Sequence, residues 1–136
     1  MFYWKEEYSV GIKTIDDQHK KLFEIGEKIN TILGSYSGQD SYDEIVDLIE
    51  ELKDYTIYHF DYEEGLLVKY QYPEIDEQIE QHKKFINYLE ELDLESIDED
   101  QEKAMKQLIM FIAKWIFKHI SNSDFKYSEF LIKAMK

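Results

Sequence analysis

The sequence has 136 residues, a length that suits one domain with a hydrophobic core better than two. Its formal net charge is −14, and all 16 basic residues are lysine, so the chain lacks the arginines typical of phosphate and guanine recognition. We therefore expect neither nucleic acid nor an anionic membrane surface as a partner. The absence of cysteine excludes disulfides, thiolate-bound zinc, iron–sulfur clusters and covalently attached haem.

Neither the amino terminus nor the most apolar stretch resembles a targeting or membrane segment. Residues 1–11 contain no apolar region preceded by basic residues, as a signal peptide would. The longest apolar stretch, residues 108–117, is short and is interrupted by Lys114. The sequence thus predicts a cytoplasmic protein.

Apolar residues recur at helical spacing in four segments of the chain. The first predicted helix covers about residues 16–33. The second begins at a capping box formed by Ser41 and Glu44, and it runs to about Lys69. The third opens at Pro73, because proline is well suited to the first position of a helix.

An acidic segment, residues 93–100, separates the third predicted helix from the fourth. A second capping box, Ser96 with Glu99, is expected to open the fourth helix, and residues 128–136 are predicted to form a short closing helix. The predicted fold is therefore all-α: an antiparallel up-down-up-down four-helix bundle with an N-terminal arm and a short C-terminal helix. We expect a single domain over residues 1–136.

Each of the four predicted helices carries one histidine on its apolar stripe. In chain order these are His19, His59, His82 and His119. A lone core histidine is usually a hydrogen-bonded packing residue, but one on every helix is a different pattern. Antiparallel packing would place all four at one end of the bundle, where buried imidazole nitrogens would need partners. A metal can serve as that partner for all four, since neutral imidazole is a common ligand.

Two carboxylates lie at spacings that could complete such a site. Glu63 follows His59 by four residues, which places it about 40° round the helix and one turn away. Asp124 follows His119 by five, so its participation requires a π-bulge or a loosened helix end. Nitrogen and oxygen ligands without sulfur suit iron, zinc or manganese, and two bridging carboxylates suit a pair of ions best. Haem held by two histidines would leave both carboxylates unexplained.

The segments that carry these residues resemble the motifs of the hemerythrin family, and of the bacterial hemerythrins in particular. The matching stretches are DDQHKKLF (16–23), YHFDYEE (58–64), YPEIDEQIEQHKKF (72–85) and WIFKHISNSD (115–124). The resemblance implies a four-helix bundle holding two iron ions, joined by an oxo or hydroxo bridge, that bind dioxygen reversibly.

By position, the resemblance also implies two ligand histidines for each iron, two bridging carboxylates and a tryptophan in the dioxygen pocket. These residues are His19 and His59 for one iron, His82 and His119 for the other, Glu63 and Asp124 as bridges, and Trp115. One position departs from the family, which has two histidines four residues apart on the third helix: here the first is Gln78. Gln78 could coordinate weakly through its carbonyl oxygen, hydrogen-bond a water in the vacant position, or mark a weakened second site.

Three functions remain open at this point. The favoured one is a binding protein that carries, stores or senses dioxygen without turnover, so that an enzyme is the less favoured interpretation. The alternative is a di-iron enzyme on the same bundle, with peroxidase, oxidase or nitric oxide reductase activity, which Gln78 favours somewhat because it leaves a labile position. The third is a metal-poor bundle that acts through protein contacts, although the sequence indicates no particular protein partner.

Overall fold

The computed structural model describes residues 2–136, and most of them are helical. The helices are α1 (Lys13–Gly34), α2 (Tyr42–Lys69), α3 (Ile75–Glu90), α4 (Leu94–Glu99), α5 (Gln101–Lys118) and α6 (Phe125–Ala134). A 3₁₀ turn, Glu6–Tyr8, precedes α1, and a π-helical segment, His119–Asp124, joins α5 to α6. The predicted all-α bundle is confirmed, with α1, α2, α3 and α5 as its four long helices.

The buried apolar residues form two clusters: a large one among the four long helices, and a smaller one that includes Ile15, Leu67 and Tyr127 and packs α6 onto the bundle. Helix α1 packs against α2 and α5, and α2 packs against α3. The aromatic ring of Phe85 joins α3 to α5, because its centroid lies 5.5 Å from that of Phe111 and 4.7 Å from that of Trp115. Leu52 and Ile112 are fully buried in the centre, and burial of such a side chain stabilises the fold by about 1.5 to 3 kcal/mol. Within residues 2–136, no helix combines the length and apolar character needed to cross a bilayer.

The N-terminal arm is anchored on α1. The Phe2 side chain is buried, and its backbone N–H donates a hydrogen bond to Glu27 Oε2 at 2.8 Å. Gly26 permits this close approach, because a Cβ atom at position 26 would lie 3.0 Å from Phe2 Cγ. The predicted N-terminal arm is present, and it packs against α1.

Helix α2 begins where the sequence predicted, but the predicted capping hydrogen bonds are wrong. Ser41 is the N-cap residue, yet its side chain makes no capping hydrogen bond, so the expected box with Glu44 does not form. Ser41 is instead buried, and its backbone N–H donates to Gln101 Oε1 at 2.8 Å. A contact with a distant helix has thus replaced the local one.

The predicted starts of the third and fourth helices are also wrong. Pro73 lies in a turn two residues before α3 and does not occupy its first position. Ser96 lies inside α4, where its hydroxyl donates to Asp93 Oδ2 at 3.0 Å. The side chains of Asp93 and Asp100 cap α4 and α5, because a carboxylate accepts backbone N–H groups and also interacts favourably with the positive end of the helix dipole.

Candidate metal centre

The four histidines meet at one end of the bundle, as predicted from their positions. All four are buried, and they form two pairs. The rings of His19 on α1 and His59 on α2 have centroids 4.8 Å apart. The rings of His82 on α3 and His119 have centroids 5.1 Å apart, with their Nε2 atoms separated by 3.3 Å. Two imidazole pairs therefore face a common interior space.

Two buried carboxylates lie between the histidine pairs. Asp124 reaches both pairs, since its Oδ2 lies 3.2 Å from His19 Nε2 and its Oδ1 lies 2.9 Å from His119 Nε2. Glu63 Oε1 contacts His59 Nε2 and lies 3.8 Å from His19 Nε2.

Glu63 also brings the two histidine pairs into a shared geometry. Two groups of three residues could each hold one metal ion, because within each group the ligand atoms lie within 4.8 Å of one another. The first group is His19, His59 and Glu63, and the second is Glu63, His82 and His119. Glu63 belongs to both groups, so its carboxylate is shared between them.

The π-helical segment explains how Asp124 can face the site. In an α-helix, five residues correspond to a rotation of about 500°, so Asp124 would point about 140° away from His119. The i to i+5 pattern of a π-helix widens the turn and brings both residues to the same face. The structure has a π-helix at His119–Asp124, so of the two predicted alternatives, a π-bulge or a loosened helix end, the first is confirmed.

The carboxylates and histidines of the site perturb one another strongly. Burial opposes ionisation of Glu63 and Asp124, but the neighbouring histidines outweigh it and lower the pKa of each carboxyl, that of Glu63 to well below its usual range. Burial alone would lower the pKa of His19, yet the adjacent Asp124 and Glu63 raise it to about 9. His59 is different, because burial dominates and lowers its pKa. The centre therefore concentrates negative charge that favours a bound cation.

Several atoms of the site lack hydrogen bonds within the described chain. They are both ring nitrogens of His19, both oxygens of Glu63 and of Asp124, and Oε1 of Gln78. The carboxylates thus lie close to the histidine rings without forming well-aligned hydrogen bonds to them. Unpaired buried polar atoms are costly, and a metal ion that accepts their lone pairs removes that cost. The donor set, nitrogen and oxygen without sulfur, fits iron.

Three histidines are oriented by outer partners that the sequence analysis did not identify. The Nδ1–H of His59 donates to Gln18 Oε1 at 2.6 Å, and that of His119 donates to Gln81 Oε1 at 2.6 Å. The Nδ1–H of His82 donates to Glu64 Oε2 at 2.8 Å. These bonds fix the tautomer, so that each Nε2 presents a lone pair to the centre.

A sequence signal for these partners exists. Gln18, Glu64 and Gln81 are each adjacent in the sequence to a predicted ligand, and each contacts the histidine of the next long helix. Neighbouring residues on a helix point about 100° apart, so a residue beside an inward ligand faces the adjacent helix. A polar residue next to a predicted ligand is therefore a candidate hydrogen-bond partner for a histidine on a neighbouring helix.

The two remaining predicted residues also lie at the site. Trp115 stacks on His119, with ring centroids 4.3 Å apart, and lines a cavity of about 10 Å³ together with His19, His59 and Phe60. Gln78 is buried on α3 one turn before His82. A roomier cavity of about 400 Å³ lies near the other end of α2 and contains none of the predicted ligands.

Tyr127 is a further buried residue that the sequence analysis missed. Its side chain is fully buried on α6, and its hydroxyl has no hydrogen-bond partner among residues 2–136. Burial, together with the charges of Glu63 and Asp124, raises the pKa of Tyr127 well above its usual range. The phenol therefore stays protonated beside the carboxylates. Its position three residues after Asp124 was the sequence feature that could have indicated its place beside the site.

Comparison with known proteins agrees with this geometry. Residues 10–131 match the sequence profile of the hemerythrin HHE cation binding domain. The chain belongs to the hemerythrin family. A bacteriohemerythrin of Clostridium acetobutylicum is 39% identical over 127 residues, which cover 93% of this chain and 98% of that protein.

Other hemerythrin relatives align over a similar extent. A bacteriohemerythrin of Pseudomonas paraeruginosa is 33% identical over 135 residues, covering 97% of this chain and 82% of the relative. A hemerythrin-like protein of Naegleria gruberi is 30% identical over 126 residues, covering 93% of this chain and 90% of the relative. Membership of the hemerythrin family identifies the chain as a non-haem iron protein of oxygen-binding type.

Proposed function

We propose that this hemerythrin holds two iron ions and binds dioxygen reversibly, as a carrier, store or sensor. The observation that supports the proposal best is the pair of buried histidine couples with two carboxylates between them, whose oxygens lack hydrogen bonds among residues 2–136. Such a donor set is unfavourable without a cation and suits two ions. When bound, the irons would supply the electrons that dioxygen accepts.

The proposed ligands are assigned by the groups of atoms that lie together. They are His19 and His59 for one iron, His82, His119 and, weakly, Gln78 for the other, and Glu63 and Asp124 as bridges, with an oxo or hydroxo bridge from solvent. Assigning two nitrogens to one iron leaves that ion with room for dioxygen. Gln78 is the weakest member of this set, because an amide oxygen is a weaker ligand for iron than an imidazole nitrogen.

The protein's own contribution to reversible binding is a dry, shaped pocket. The cavity beside His19 and His59 is also lined by Trp115, Leu22 and Ile116, and its volume of about 10 Å³ is close to that of one water-sized probe. Apolar walls of this kind exclude additional water and protons, which would otherwise promote loss of the bound ligand in reduced form. Trp115 is therefore the proposed pocket residue.

The second candidate function is a di-iron enzyme, with peroxidase, oxidase or nitric oxide reductase activity. The observation that favours it is Gln78, whose buried Oε1 has no hydrogen-bond partner among residues 2–136. A weakly held position lets a second small molecule reach the metal. Sustained turnover of hydrogen peroxide with an electron donor would support the enzyme, whereas stable reversible oxygenation would support the binding protein.

The test is metal analysis combined with oxygen cycling. We expect about two irons per chain in protein purified in air, and we expect the absorption spectrum of the reduced protein to change on adding oxygen and to return when oxygen is removed. Zinc, or a single iron per chain, would refute the di-iron proposal. A spectrum that changes once and does not return would refute reversible binding.

We further propose a domain boundary, a cellular location and a class of partner for this protein. We propose one hemerythrin-like domain over residues 1–136 and a cytoplasmic location. A net charge of −14 argues against nucleic acid and anionic membranes as partners. Dioxygen is the proposed small-molecule partner.

A further inference from the structure

The outer partners of the histidines form a series that runs around the bundle. Gln18 on α1 holds the histidine of α2, Glu64 on α2 holds that of α3, and Gln81 on α3 holds His119. Two of the three partners are neutral amides, and only Glu64 carries a charge. The two amides show that a neutral acceptor is enough to orient a histidine here, so the charge of Glu64 is not needed for orientation alone.

The contact between Glu64 and His82 is well defined. Its length is 2.8 Å, and the His82 ring is held in plane by Phe60, whose ring is stacked on it with centroids 3.9 Å apart and an angle of 3°. The Glu64 side chain is 27% exposed, and it lines a surface groove of about 230 Å³ between α2 and α3 that extends to His82. Solvent therefore keeps the desolvation cost of this carboxylate low.

The charged partner acts on the same proposed iron to which Gln78 is assigned. Gln78 lies buried one turn before His82, and its side-chain oxygen, Oε1, has no hydrogen-bond partner among residues 2–136. An amide oxygen donates less electron density to iron than an imidazole nitrogen does. A carboxylate that accepts a hydrogen bond from the far nitrogen of a ligand histidine raises the basicity of that ligand. The weak amide donor at Gln78 and the carboxylate at Glu64 thus have opposite effects on the electron density of one proposed iron.

We propose that Glu64 is a positioning residue that strengthens His82 as a donor and thereby stabilises the oxidised form of the iron bound by His82 and His119. In this way Glu64 offsets the weak donor strength of the Gln78 amide. The inference rests on the proposed di-iron function. It adds a redox role for a residue outside the ligand set.

The experiment compares iron-loaded protein with its Glu64→Gln variant, which keeps an acceptor for His82 and removes the charge. Potentiometric titration followed by absorption should give a more positive midpoint potential for the variant. We expect at least about a tenfold change in the ratio of oxidised to reduced iron at a fixed potential, which equals about 59 mV for one electron. Retention of ferric iron against a chelator should fall by about 10- to 100-fold.

Two further variants separate this role from a general effect of charge or of folding. Asp61→Asn removes an exposed acidic residue from the same groove, and we expect it to leave the midpoint potential unchanged. Gln81→Glu places a carboxylate on His119 instead, while retaining an acceptor for Ser123, and it should lower the midpoint potential. Because Gln81→Glu adds a charge, it remains informative if Glu64→Gln fails to load iron.

The outcomes distinguish the inference from the function on which it rests. Two irons per chain in the unmodified protein, with equal midpoint potentials for it and Glu64→Gln, would overturn the role of Glu64 and leave the di-iron function standing. Equal shifts in Glu64→Gln and Asp61→Asn would also overturn it, since the effect would then be one of surface charge. Absence of an iron pair in the unmodified protein would overturn both.

Discussion

Replacing Gln78 by histidine tests whether the glutamine is a missing ligand. Gln78 is 2% exposed, lies on α3 one turn before His82, and has an Oε1 atom without a hydrogen-bond partner among residues 2–136. Gln78→His would restore a nitrogen donor at that place without any change in backbone. We expect iron to be held more tightly, autoxidation of the oxygenated protein to slow and any peroxidase activity to fall.

The size of the effect depends on two opposing contributions. A change of side-chain shape in a packed core costs about 1 to 3 kcal/mol. Here the cost should lie at the lower end, because a cavity of about 10 Å³ lined by Tyr72 and Ser123 borders Gln78. A recovered ligand should slow iron loss by at least about tenfold, which corresponds to about 1.4 kcal/mol. The metal-free variant should therefore be slightly less stable, and the iron-loaded variant should retain its iron longer.

The assay is the rate of iron loss to excess chelator, measured side by side for the unmodified protein and the variant. Gln78→Met is the matched control, since methionine has a similar shape but no strong donor, and it should lose iron faster than the unmodified protein. Thermal unfolding of the metal-free proteins reports the packing cost separately. Equal or faster iron loss from Gln78→His would refute the argument that the glutamine replaces a ligand.

Three other predictions concern the ligands and the segment that positions them. Protein purified in air should contain about two irons per chain and show the absorption of an oxo-bridged diferric pair. Removing the iron should lower the melting temperature, because buried polar atoms lose their partners. An unchanged melting temperature would contradict this prediction. His59→Ala and Glu63→Ala should each lose iron and destabilise the protein, as measured by metal analysis and thermal unfolding, and full iron occupancy in Glu63→Ala would show that Glu63 is not a bridge. Deleting Asn122 should convert the π-helical segment to an α-helix, place Asp124 four residues after His119 and rotate α6. We expect metal analysis of this variant to find one iron per chain or none. Iron content equal to that of the unmodified protein would show that the π-helix is not needed.

Much of the fold and of the candidate site was predictable from periodicity. Steps of three and four residues placed the four histidines on four helix faces, and antiparallel packing then required them to meet at one end. A π-bulge or a loosened helix end after His119 was predictable for a related reason, because two residues five positions apart, such as His119 and Asp124, do not share a face of an α-helix. The roles of these residues as iron ligands remain a prediction.

The sequence by itself determined the class of fold and the four inward histidines, because these depend on the spacing of residues along each helix. It also required a departure from α-helical geometry after His119 if Asp124 is to face the site, and the structure decided that this departure is a π-helix. The helix caps and the outer partners were decided by tertiary structure. Ser41 makes no side-chain cap, and its backbone N–H is bonded to Gln101, 60 residues away. Glu64 and Gln81 are beside predicted ligands, but which histidine each contacts depends on how neighbouring helices rotate against one another. Periodicity records which face a residue occupies, and it does not record what lies opposite that face.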